Sequence, residues 1–118
     1  MTSCGVILDT HQIDRLAHEL DSRSTAVGFV GRFVQRLPDS LARIHRSLLE
    51  GKSEGALAAV LSVATSAAMA GAVQLEGHSR TVEQSIRAGD LGAARAAAAV
   101  LDANAADFAR HASQLLSC

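Results

Sequence analysis

The chain lacks tryptophan and tyrosine, and has three phenylalanines, one proline and two cysteines in 118 residues. Each scarcity excludes something. A surface this poor in aromatics offers no platform for stacking bases. With Lys+Arg at 11 against Asp+Glu at 12 there is also no basic excess to track phosphates, so nucleic-acid binding is not expected. Cys4 and Cys118 stand at opposite ends without metal-ligand spacing. They read as two free thiols, with no metal site, in a cytoplasmic protein. The opening MTSCGVILDTHQ has neither a basic start nor a long apolar run, so a secretory signal is not expected there. No stretch alternates with the period of a strand.

What is abundant is alanine, which loses no side-chain entropy in a helix. The length suits one domain, 1–118, with a single core. Asp9, Thr10 and Gln12 resemble a helix start, and Ile13, Leu16, Ala17 and Leu20 continue at helical spacing. Asp21 to Thr25 is a polar break. Val30, Phe33, Val34, Leu37, Leu41, Ile44 and Leu48 then form one stripe. Within it Pro38 should bend the helix or mark a break, because it removes a backbone donor. Gly51-Lys52-Ser53 reads as a turn, and Gly71 and Gly77 bracket the next change of pattern. Gly89 is a natural stop and Asp90 a natural N-cap. Leu91, Ala94, Ala98, Leu101, Ala105, Phe108, Ala112 and Leu115 then alternate spacings of three and four, a seam suited to close helix packing. The expected fold is all-α: an antiparallel, up-down four-helix bundle with a short extra N-terminal helix.

Residues 55–73, GALAAVLSVATSAAMAGAV, contain no charge. A membrane span needs about 20 mostly apolar residues. The strongly apolar ones here are only Leu57, Val60, Leu61, Val63, Met69 and Val73, and Ala, Gly, Ser and Thr contribute little to insertion, so no span is expected. A helix of small residues buried on most sides is the plain alternative. In a bundle, however, each helix usually keeps a solvated face, and an uncharged one suggests a partner surface.

FVGRFVQRLPDSLARIHRSLLEGK, with its internal proline, and SIRAGDLGAARAAAAVLDANAADFARHASQLL together resemble the second helix and the end of the histidine phosphotransfer (HPt) domain, a module of bacterial two-component phosphorelays. SVATSAAMAGA resembles that family's third helix, keeping Ser66 and the Gly71-Ala72 pair. In this register the family's phosphoacceptor histidine falls on Leu61, its lysine on Ala64 and its glycine on Thr65. Phosphoryl transfer needs an exposed imidazole nitrogen, a cation for the phosphoryl oxygens and room for the partner, none of which these residues supply. The resemblance therefore implies a non-enzymatic phosphorelay signal-transduction protein that carries no phosphate itself, needs no cofactor, and binds a receiver domain or histidine kinase.

The expected surface comprises Leu57, Leu61, Ala64, Thr65 and Ala68, with Arg36, Ser40 and Arg43 brought alongside by a hairpin about Lys52. Leu61 would serve there as an anchor. Two alternatives stay open: a homodimer formed through the same uncharged face, and an active phosphotransfer protein using His45 or His78, which otherwise read as surface histidines. His11 and His18 could share a helix face, and Asp107 and His111 could form an i,i+4 pair. Three or four convergent ligands are lacking for a metal. Ser62, Thr65 and Ser66 have no base nearby, so they should face solvent or bond back to the backbone.

Overall fold

The computed structural model describes residues 23–117, with side chains from 27 to 114. The expected N-terminal helix, His11, His18, Cys4 and Cys118 lie outside these residues, as does the side chain of Leu115. Four helices make up nearly all of the rest: α1 (Arg23–Leu49), α2 (Ser53–Met69), α3 (Val73–Arg87) and α4 (Leu91–Ser117). No strand occurs among the described residues. None of these helices is long and apolar enough to cross a membrane.

The connections explain why the helices stay in register with one another. All three use one device. Gly51, Gly71 and Gly89 take φ of 72°, 78° and 78°, a left-handed conformation that costs a residue with a Cβ about 1–2 kcal/mol. In each case the next residue donates its N–H back into the helix just ended: Lys52 to the Ser47 carbonyl at 2.8 Å, Ala72 to Ala67 at 2.8 Å, and Asp90 to Ser85 at 3.0 Å. The chain reverses within three residues every time, so consecutive helices must lie side by side. Asp90 then caps α4, its Oδ1 accepting the Ala93 N–H at 2.9 Å.

Packing follows this order. α1 and α3 each pack on both α2 and α4, and the four helices enclose one core. From α1 it receives Val30, Phe33, Leu37, Ile44 and Leu48, and from α4 Ala94, Ala98, Leu101, Ala105, Phe108 and Ala112, as the two stripes lead one to expect. Phe33 and Phe108 meet edge to face at 5.8 Å between ring centroids, a preferred aromatic geometry. Alanine elsewhere in the seams lets backbones approach closely.

Three local expectations need correction. The polar stretch 21–25 is not a break throughout, because α1 has already begun at Arg23. Of the two outcomes expected at Pro38, a bend or a break, the break does not occur, and α1 is continuous to Leu49. Leu37 is buried and Leu41 packs against the core on either side of it, and this tertiary contact outweighs the lost backbone bond. Gly77 brackets nothing: it lies inside α3 on an exposed turn, where glycine costs only about 1 kcal/mol relative to alanine.

Candidate functional site

α2 has charge only at Glu54, in its first turn. It buries Ala56, Ala59, Val60, Val63, Ala64 and Ala67 against its neighbours. Ala64 is only 1 % exposed. It belongs to the interior and cannot touch a partner, which removes it from the expected surface. The reason is helical rotation of about 100° per residue, which turns Ala64 inward from Thr65. Thr65 is exposed, while Leu61 and Ala68 are half-buried and Leu57 packs partly against the core.

The same rotation decides what meets α1. Arg36 and Ser40 do lie alongside α2, but the residues opposite them are Ser62 and Ser66, and the column of Leu57, Leu61 and Ala68 lies on the other flank. Arg32, Arg36, Ser40, Ser62 and Ser66 line a cleft of about 130 Å³ between the two helices, with Phe33 and Val63 among its apolar walls. Arg43 is exposed one turn further along α1 and does not line it. Spacing builds both walls. Arg32, Arg36 and Ser40 are successive i,i+4 neighbours on α1, and Ser62 and Ser66 are i,i+4 neighbours on α2. Gly28 makes room for the first of them, since a Cβ there would stand 3.2 Å from Arg32 Nη1. Arg32 was not singled out in the sequence, although its spacing to Arg36 and Ser40 was the available signal.

The polar groups of this cleft are unspent. Ser79 donates to the Leu75 carbonyl at 2.8 Å and Thr81 to Gly77 at 3.2 Å, the usual fate of a helical hydroxyl. Ser40, Ser62 and Ser66 make no such bond among the described residues; of the two expected fates, solvent or a bond to the backbone, Ser62 takes the first, and Ser66 is half-buried. The cations differ in the same way. Arg80, Arg87, Arg110 and Lys52 all have carboxylate partners. Arg32, Arg36, Arg43, Arg46 and Arg95 have none among the described residues. The densest pairing is on α3, where Glu83 accepts from Arg87 Nε at 2.9 Å and from Arg80 Nη1 at 3.2 Å. Those bonds, that from Arg87 foremost, hold the Glu83 carboxyl below the ordinary carboxylate range.

His45 lies on the opposite flank of α1, where its Nε2 meets Asp102 Oδ2 of α4 at 2.7 Å. The pair joins two helices, and a ring nitrogen is engaged in it. His78 is half-buried on α3. Neither histidine is on α2. The expected Asp107–His111 side-chain pair is not formed: His111 Nδ1–H donates to the Asp107 backbone carbonyl at 2.8 Å, and Arg110 takes the carboxylate. Arg110 is one residue nearer and carries a permanent charge, which gives it the advantage.

Compared with known protein families, with characterised proteins and with solved structures, the chain matches none.

Proposed function

We propose that this chain is an HPt-like signal-transduction protein that docks a receiver domain or a histidine kinase without carrying phosphate. On this proposal the four helices form the antiparallel, up-down bundle of that family, with α2 in the place of its phosphoacceptor helix. The observation that carries it is the surface about Leu61. A half-buried leucine and an exposed Thr65 occupy the positions of the family's chemistry, on a helix uncharged from Gly55 to Met69. Across the α2 face from Leu61, α1 presents Arg36 and Arg43 with no carboxylate partner among the described residues. An uncharged centre with a cationic rim suits a partner whose own docking face is acidic around an apolar patch.

The test uses purified receiver domains from the same cell, uncharged and charged with acetyl phosphate. A complex without phosphohistidine is the expected result, and Leu61→Asp should abolish it while leaving helicity unchanged. Label on His45 or His78 would overturn the non-carrier role. Binding unaffected by Leu61→Asp would overturn the docking surface.

A second reading, a homodimer through the same face, is favoured by one observation: Met69 and Val73, at the end of the uncharged stretch, are 48 % and 49 % exposed. Light scattering at two concentrations separates the two readings, because an obligate dimer persists on dilution.

A further inference from the structure

We propose that the cleft between α1 and α2 is a binding site for a single tetrahedral oxyanion of the phosphate class. Arg32 and Arg36 would hold it from one wall, with the hydroxyls of Ser40, Ser62 and Ser66 completing the shell. This site stands independently of whether the chain docks a receiver.

Three observations converge on it. The first is the donor set. Two guanidinium groups and three hydroxyls line the cleft, and no carboxylate does. Arginine forks match phosphate oxygens, and hydroxyls donate to any oxygen left over. The second is that these groups are unspent, whereas Arg80, Arg87 and Arg110 are paired and the hydroxyls of Ser79 and Thr81 are bonded to their own helix. Like charges at i,i+4 repel, so the Arg32–Arg36 pair is unfavourable until an anion lies between its arms. Phe33 and Val63 add apolar wall, which lowers the local dielectric and strengthens attraction to an anion.

The third is size and shape. The cleft has a volume of about 130 Å³. Pockets for drug-sized ligands run to about 300–1,000 Å³, so the space suits a small ion better than a whole nucleotide. Five donor groups stand on two facing walls, α1 and α2, and a tetrahedral oxyanion offers them four oxygens where a carboxylate offers two. The phosphoryl group has two possible sources, a small phosphate in solution or a phosphoryl group borne by a partner protein.

The experiment is a titration of the isotopically labelled chain with inorganic phosphate, at ionic strength held constant with chloride, followed by nuclear magnetic resonance. Saturable shifts should appear at the amides of Ser40, Ser62 and Ser66 and at the Nε of Arg32 and Arg36. Arg32→Gln or Arg36→Gln should each weaken binding about tenfold, equivalent to about 1.4 kcal/mol. Both side chains are exposed, so the fold should survive. Ser62→Ala, which removes a donor and no charge, should weaken it several-fold, separating a built site from a diffuse field. Arg95→Gln, an exposed position on α4, should change nothing.

Shifts that fail to saturate, that chloride reproduces, or that survive both arginine substitutions would overturn the site. A second arm distinguishes the sources. Phosphate that displaces a phosphorylated but not an unphosphorylated receiver supports the partner-borne group, and saturable phosphate binding without such competition supports the free ligand. If no receiver binds but phosphate still saturates the cleft, the proposed function falls and the site stands. Receiver binding without phosphate binding defeats the site alone.

Discussion

Replacing Pro38 by alanine should stabilise the protein, and the size of the effect follows from where α1 runs. Pro38 lies within a helix that continues from Arg23 to Leu49, so it has no N–H to donate to the Val34 carbonyl, and its ring crowds that same carbonyl. Proline in a helix interior is about 3 kcal/mol less favourable than alanine. Against this, proline restricts the unfolded chain, and removing it returns about 0.4–1 kcal/mol of entropy to that state. The balance is a gain of about 2 kcal/mol. Urea unfolding should register it as a midpoint raised by about 1 M, with an unchanged slope if neither end state changes its compactness. One structural feature could reverse the sign. Pro38 lines a groove of about 190 Å³ between α1 and α4, together with Leu37, Leu41, Ala105 and Ala106. If the fit of α1 against α4 requires a bend at Pro38, alanine would straighten the helix and loosen Leu37 and Leu41. A midpoint that stays level or falls would refute the view that Pro38 is tolerated and not required.

Two further outcomes test the core and the surface charge. Phe108 is fully buried against Phe33, so Phe108→Ala should cost about 3–5 kcal/mol in urea unfolding and Phe108→Leu about 1–2 kcal/mol; a loss below about 1 kcal/mol for the alanine would contradict the packing. Glu83 has its carboxyl held below the ordinary range by Arg87 and then Arg80, so its contribution is present above the unfolded-state value and is lost as pH falls through the lower folded one. Wild type should therefore exceed Glu83→Gln in stability at neutral pH, with the gap narrowing as pH falls through the lower folded value; a gap independent of pH would show that charge is not its source.

Where local chemistry and tertiary packing agree, sequence was enough. The α4 seam, the three left-handed glycines and the Asp90 cap are each fixed by residues within a turn or two of one another. Pro38 was ambiguous because propensity argues for a break and only the burial of Leu37 beside it says otherwise. Gly77 misled because a glycine that ends a helix and one that merely weakens it look alike until its φ is known. The 107–111 side-chain pair does not form because Arg110, one residue closer to Asp107, takes its carboxylate. The cleft was half legible: Arg36 and Ser40 could be placed beside α2 from the hairpin alone. Which side of α2 they face depends on the rotation of one helix against another, and that is set by the whole core.

That rotation also answers why a helix of the bundle can lack charge. Six residues of α2 are buried, and alanines predominate among them because α1 and α3 both approach closely. The core thus accounts for the inner half of the helix and makes no demand on the outer half. Ala58, Ser62, Thr65 and Met69 are nevertheless exposed without a charge among them, while exposed arginines stand on α1 next door. Of these only Ser62 lines the cleft, and a glutamate there would stand across from Arg32 and Arg36 and fill the cleft with the protein's own anion. The neutral wall of α2 therefore leaves those two arginines without a competing carboxylate in the cleft.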